Sequence, residues 1–204
     1  MNCDNKKIAG LLLFVGVAQF VLVKIVCETI YPGYSVGQQA ISDLGNWNLA
    51  GNFAAVFAVS AILLGVFIVA GAYFIGQGFK NRRFTALLAI AGVGNVVVGV
   101  VAENVIPSIH SLFALVMFVS WAIAAILSYK FLKSPFSYLS VILGGVSLLM
   151  LVLSLLVQHS SSFDLGFGLG GFERLIVYPL WLWTLGFGAY LIGESSDKVR
   201  TGKT

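Results

Sequence analysis

The sequence predicts an all-α polytopic membrane protein: six transmembrane helices in an antiparallel bundle with both termini cytoplasmic. Of its 204 residues, 59% are hydrophobic and only 10% are charged, whereas about a quarter of a soluble domain is charged. Apolar runs of about 20 residues, long enough to cross a bilayer core as helices, fill most of the chain. None alternates in polarity as a barrel strand does. We expect one membrane domain over residues 1–204.

The six apolar runs follow one another with short or moderate gaps. They are Ile8–Cys27, Gly51–Gly76, Phe84–Ile106, Ile109–Leu132, Phe136–Val157 and Phe172–Gly193. The first run is longer than the apolar stretch of about 7–15 residues in a secretory signal, so it is interpreted as a helix.

The basic residues predict the orientation in the membrane. With a cytoplasmic N-terminus, ten of the twelve Lys and Arg residues lie on the inner side, and only Lys24 and Arg174 lie outside. Cytoplasmic loops carry this excess of positive charge. Lys24, one turn from the outer end of its helix, is expected to extend its ammonium to the lipid headgroups.

Several classes of site are not expected. Cys3 and Cys27 lie at opposite ends of the first span, so they cannot form a disulfide within one chain. The basic residues form small clusters between spans, which indicates topology and no nucleic-acid partner. No cofactor motif is present. The expected partners are membrane lipids and an amphipathic small molecule.

The remaining ionisable groups concentrate at the predicted outer side. The two histidines, His110 and His159, map there together with Asp43, Glu103 and Glu173. Ionisable groups near a bilayer usually face the bundle interior or water and mark function. Any site is therefore expected to open outward.

Glu103 and His110 form the closest of these groupings. Pro107 ends one helix and Ser108 is a candidate N-cap of the next, so the two side chains could meet in adjacent helical turns. A carboxylate beside an imidazole suits acid/base chemistry or the support of a metal ligand. The alternative is that both merely reach the interface. A metal would need at least three ligands, and His110 and His159 are weak candidates.

Arg174 follows Glu173 at the start of the last helix, where the helix dipole disfavours a cation. It should have an anionic partner, namely Asp43, Glu103 or a lipid phosphate. The first possibility is an ion pair that closes the bundle. The second is recognition of an anionic headgroup by the guanidinium.

The first outer loop, residues 28–50, offers two interpretations. Ile41, Leu44 and Trp47 recur every third residue, which predicts a short helix lying in the membrane interface. Alternatively, Asp43 points into the bundle mouth between walls formed by Tyr31 and Tyr34.

Glycines have two predicted roles. The glycine-rich segment 163–170 is expected to form an apolar loop in the membrane interface; the alternative is a mobile cover that dips into the headgroups. In the third span, Gly92, Gly94 and Gly99 form a small-residue face for close packing, and Asn95 is expected to bond across helices.

Several short motifs of this sequence resemble those of a known family of membrane proteins. Tyr31-Pro32-Gly33-Tyr34-Ser35, Ile41-Ser42-Asp43-Leu44-Gly45, His110 and Gly171-Phe172-Glu173-Arg174 resemble the prokaryotic membrane proteins grouped as domain-of-unknown-function family number 998. The resemblance implies a six-helix integral membrane protein and carries no assigned activity.

Three functions are compatible with the pattern. The preferred one is binding of a lipid headgroup or amphipathic molecule in an outward-facing pocket of Asp43, Glu103, His110, Glu173 and Arg174. The second is a membrane-embedded lipid hydrolase that uses His110, Glu103 and Asp43. The third is structural, with the polar cluster clasping the helices together.

Overall fold

The fold is known from a computed structural model, which describes residues 3–78, 81–159 and 166–201. Within these ranges the chain forms seven α-helices and two short 3₁₀ helices, with no strand. The α-helices are α1 Cys3–Ile30, α2 Trp47–Ala50, α3 Phe53–Gly76, α4 Arg82–Val100, α5 Pro107–Leu127, α6 Phe136–His159 and α7 Gly168–Thr201. All except α2 are long and apolar enough to span a membrane. The predicted all-helical fold with six spans is confirmed.

The junction between α4 and α5 differs from the prediction. α4 ends at Val100, before the expected Ile106, because Val101 takes an extended conformation with φ −101° and ψ 92°. Pro107 then occupies the first turn of α5, where its missing N–H costs nothing, and no described side chain caps this helix. Glu103 therefore lies in the connecting turn and not in a helix.

Glycines allow the spans to approach each other closely. A Cβ added to Gly65 of α3 would lie 2.6 Å from the carbonyl oxygen of Gly92 in α4. Likewise, a Cβ on Gly10 of α1 would lie 2.6 Å from the carbonyl oxygen of Gly188 in α7. Small residues are thus required where these backbones touch.

Among the described residues, Asn95 does not form the expected bond across helices. Its amide donates within α4, to the carbonyl of Ala91 at 3.5 Å. A polar bond between spans is made instead by Gln19 of α1, whose side-chain oxygen accepts from the Ser60 hydroxyl of α3 at 2.8 Å.

The two ends of the bundle carry different contacts. Lys6 of α1 forms an ion pair with Glu194 of α7, so the start of the first span lies beside the end of the last. The segment 31–52 covers the opposite end, which we call the loop end. Its 3₁₀ helix, Ser42–Gly45, is inserted into the bundle, since Leu44 is fully buried. The predicted short helix is present, and the Leu44 side chain is directed into the bundle, where the 3₁₀ helix contacts α1 and α3; its position in the membrane interface stays a prediction.

Candidate functional site

Arg174 fastens the segment 31–52 to the bundle. Its side chain is buried, and it donates through Nη1 to the carbonyls of Gln39 at 2.9 Å and Gly170 at 2.8 Å. Through Nη2 it contacts the Glu28 carboxylate and the Tyr34 hydroxyl, both at 2.6 Å. One guanidinium therefore joins the end of α1, the loop and the start of α7.

Lys24 completes this ion network. Its ammonium lies 2.9 Å from the Glu28 carboxylate and donates to the Tyr178 hydroxyl at 2.5 Å. The residue is only 4% exposed. The prediction that Lys24 extends to the headgroups is wrong, because Glu28 one helical turn later provides its countercharge inside the bundle.

The carboxylates expected beside Arg174 bond elsewhere. Asp43 accepts from the backbone N–H of Ala40 at 2.9 Å, and Glu103 accepts from the Ser42 hydroxyl at 2.7 Å. Burial raises the pKa of the Asp43 carboxyl, against the lowering effect of the Ala40 N–H. The anionic partner of Arg174 is Glu28.

Tyr34 stands at the centre of the loop. Its hydroxyl donates to the Ala40 carbonyl at 3.0 Å and accepts from Arg174. Burial raises its pKa far above the usual range, so the hydroxyl keeps its proton and remains a donor. Tyr31 packs against it edge to face at 5.2 Å between ring centroids. The two tyrosines serve the loop's own packing.

Glycines set the distance between the loop and α7. A Cβ on Gly170 would lie 2.1 Å from the Gln39 carbonyl oxygen, and one on Gly168 would lie 2.3 Å from that of Gly37. In the described part of the glycine-rich segment, residues 166–170, Gly168 and Gly170 thus pack against the loop, and α7 begins at Gly168. The rest of that segment lies outside the described residues.

His110 caps the end of α4. Its Nδ1 lies 2.7 Å from the carbonyl oxygen of Val101, one of the carbonyls that a helix end leaves without an intrahelical donor. A carbonyl only accepts, so Nδ1 is the donor in this hydrogen bond. No bond between His110 and Glu103 is among those of the described residues; the Glu103 carboxylate accepts from Ser42 instead.

Glu173, like His110, binds a backbone group at the end of a helix, here in the loop. Its carboxylate accepts from the backbone N–H of Ile41 at 2.5 Å, just before the 3₁₀ helix. The side chain is only partly buried.

Two cavities meet at the loop end. The first, which we call the chamber, has a volume of about 260 Å³ and lies between α1, α3, α4, α5 and α7 beneath the 3₁₀ helix. The second, the groove, has a volume of about 540 Å³ and lies between α5, α6 and α7. Five residues line both and form a shared wall: Ser42, His110, Ala114, Phe118 and Glu173.

The structure separates the candidate residues into two sets. Glu103, His110 and Glu173 line a cavity, whereas Asp43 and Arg174 line neither. The side chain of His159 lies outside the described part of the chain. Among described residues, no three His, Cys, Asp or Glu side chains are grouped to hold a metal ion.

Sequence reasoning missed Trp181. It lines the chamber, is 5% exposed, and its indole N–H has no hydrogen-bond acceptor among the described residues. Within an apolar run it resembles any other aromatic residue. The available signal was its position two helical turns after Glu173 on the same helix.

Fold and site together define a helical membrane protein with six spans and a loop-covered cavity at one end. The chain belongs to a family described as a protein of unknown function, DUF998, whose model matches residues 14–190. This confirms the resemblance seen in the sequence. No curated protein and no solved structure matches the chain.

Proposed function

We propose that this protein lies in the cell membrane with the loop end outside and binds an amphipathic small molecule or lipid there. The observation that carries the proposal is the shared wall, where His110 and Glu173 stand between two otherwise mainly apolar cavities. Such a pocket, apolar with a few convergent polar groups, suits a ligand with one polar end.

The chamber is large enough for an apolar group. Its volume of about 260 Å³ exceeds the cavity of about 150 Å³ that binds benzene in an engineered protein. Its lining includes Phe20, Phe57 and Phe118, which favour a hydrocarbon over water.

The groove gives a route from the lipid. Leu112, Leu155 and Leu169 line it and are 57%, 42% and 60% exposed. In a membrane these side chains contact acyl chains, so a lipid-soluble ligand reaches the shared wall laterally.

The Arg174 network has a supporting role in this proposal. Arg174 is engaged with Glu28 and with the loop, so it holds the covering segment in place. The residues that contact the polar end of the ligand are then Glu173, His110 and Glu103. The clasp considered from the sequence and the binding site are therefore parts of one arrangement.

The geometry supports a lipid hydrolase less well than a binding site. His110 donates to Val101, and the Glu103 carboxylate accepts from Ser42. In the described structure no carboxylate is bonded to the imidazole to orient it as a general base.

Photocrosslinking tests the proposal. A diazirine-bearing alkyl amphiphile, added to the full chain in dodecyl maltoside, should label α5, α7 and the loop. Ala114→Phe, in the shared wall, should reduce this labelling about tenfold by filling the space. Labelling spread evenly over the lipid-facing helices and unchanged by Ala114→Phe would overturn the proposal.

Val116→Phe is the matched control for this substitution. Val116 lies on the same helix, is 41% exposed and lines neither cavity. The larger ring is accommodated outside the bundle, so labelling of the shared wall should stay at the level of the natural protein.

A further inference from the structure

We propose that the end of the bundle opposite the loop binds an anionic phospholipid through Arg82, Arg83 and Lys130, which together we call the basic surface. Arg82 and Arg83 begin α4, and Lys130 ends the short 3₁₀ helix that follows α5. None of the three lines either cavity. The inference therefore goes beyond the proposed function and does not depend on it.

The contact of two phenylalanine rings brings the two parts of this surface together. Phe84 follows Arg83 in the chain, and Phe131 follows Lys130. The centroids of the two rings lie 4.8 Å apart, in an edge-to-face arrangement. Phe84 is fully buried and also packs on Phe187 of α7. The start of α4 and the end of α5 are therefore neighbours, and their cations lie on adjoining helix ends.

No carboxylate among the described residues neutralises these three cations. All three residues are exposed, and none takes part in an ion pair of the described structure. The first turn of α4 contains no acidic residue, so the positive end of the helix dipole adds to the charge of two guanidinium groups. The basic surface thus carries positive charge for which the described part of the chain provides no partner.

Two other cations at the same end share a carboxylate. Lys6 forms an ion pair with Glu194, and the ammonium of Lys133 lies 3.7 Å from the same side chain. At the loop end, Lys24 and Arg174 are both paired with Glu28. The unpaired charge of the basic surface is therefore not a general feature of the cations in this protein.

The position of the basic surface indicates a lipid headgroup as its partner. One candidate membrane span begins at Arg82 and another ends at Lys130, so both side chains lie at headgroup level when these spans cross a bilayer. Tyr129, next to Lys130, packs against Tyr138 with ring centroids 5.9 Å apart, and both tyrosines are exposed. Tyrosine is enriched at the membrane–water interface. A lipid can contact these rings and the cations at once.

Charge complementarity selects an anionic headgroup over a zwitterionic one. Guanidinium groups such as those of Arg82 and Arg83 bind phosphate oxygens in pairs, and the ammonium of Lys130 adds a point charge. A choline headgroup carries its own cation, which the basic surface repels. Phosphatidylglycerol has the same phosphate without that cation. Clusters of Lys and Arg beside membrane spans attract such lipids.

Native mass spectrometry of the full chain in detergent tests the inference. Dioleoylphosphatidylglycerol and dioleoylphosphatidylcholine have the same acyl chains and differ in the charge of the headgroup. The first molecule of the anionic lipid should bind about tenfold more tightly than the first molecule of the zwitterionic one. Equal affinities for the two lipids would overturn the inference on the unmodified protein alone.

Substitutions assign this preference to the basic surface. Arg82→Gln combined with Arg83→Gln should reduce it to about twofold or less, and Lys130→Gln should reduce it by about half. Lys133→Gln is the matched control, because Lys133 is an exposed lysine nearby whose charge Glu194 partly offsets. It should leave the preference nearly unchanged. Equal losses from Lys130→Gln and Lys133→Gln would show that net charge alone decides, and would overturn the inference.

Two further arms exclude other locations and partners. Ala114→Phe fills the shared wall and should leave the preference intact; its loss in this variant would place the anionic lipid in the cavities and overturn the inference. Hexaglutamate, at a concentration equal to that of the lipid, should not displace bound phosphatidylglycerol, because the peptide has no acyl chains. Displacement would assign the basic surface to an acidic protein segment instead.

Discussion

The guanidinium of Arg174 and the carboxylate of Glu28 meet at 2.6 Å between α7 and the last turn of α1, with both side chains largely buried. Glu28 also neutralises Lys24 at 2.9 Å. One carboxylate thus serves two buried cations, and the covering loop depends on the same network through Tyr34.

Glu28→Gln should destabilise the protein strongly. The amide retains the shape of the side chain but leaves Lys24 and Arg174 buried without a countercharge, which costs on the order of 3 kcal/mol. The fall in the thermal unfolding midpoint in detergent measures the effect.

Lys133→Ala is the control for this prediction. Lys133 is 80% exposed and lies 3.7 Å from Glu194, so its loss should leave the midpoint nearly unchanged. Equal midpoints for the two variants would show that the buried network does not hold the fold together.

Gly170→Ala should lift the loop from α7. The new methyl group would lie 2.1 Å from the Gln39 carbonyl oxygen and 2.5 Å from that of Val36, both backbone atoms that cannot rotate away. Hydrogen exchange of the loop amides should accelerate about tenfold or more, because local opening sets their protection.

Gly145→Ala is the matched control, since no atom of the described residues lies within 4 Å of its added Cβ in α6. If Gly170→Ala leaves the loop as well protected as Gly145→Ala does, the close contact between loop and helix is not needed.

Asp43→Asn should stabilise the protein near neutral pH. Burial raises the pKa of this carboxyl, so its contribution to stability is complete below the ordinary pKa of an aspartate. That contribution is lost as the pH rises through the raised, folded-state pKa. Asparagine retains an acceptor for the Ala40 N–H without the charge.

Thermal unfolding at about pH 4 and about pH 7 measures this effect. The variant should exceed the natural protein in stability at the higher pH, and the difference should shrink at the lower one. A difference that grows as the pH falls would contradict the assigned direction.

The spans and the polar residues at the loop end could be predicted from sequence for the same physical reason. Hydrocarbon demands long apolar helices and makes every ionisable group costly, so Glu103, His110 and Glu173 stand out in such a composition. Each of the three lines a cavity at the loop end.

Pairings depend on three-dimensional distances that spacing along the chain does not encode. Glu28 was assigned to the loop, whereas it belongs to α1 and faces Arg174. The early end of α4 follows from the backbone angles at Val101, and it leaves Glu103 in the connecting turn. Leu44 and Trp47 both fit the three-residue periodicity of the loop. Leu44 is nevertheless fully buried, whereas Trp47 is 49% exposed.

The proposed orientation predicts opposite labelling of the two ends of the bundle. In a variant with both native cysteines replaced by serine, Val36→Cys places a thiol in the loop at a position that is 53% exposed. Tyr129→Cys places one at the other end, beside Lys130, at a position that is 46% exposed. A membrane-impermeant maleimide should label Val36→Cys in intact cells and Tyr129→Cys only after permeabilisation, because basic segments stay cytoplasmic. The reverse pattern would place the loop end inside and remove access from the outer half of the bilayer.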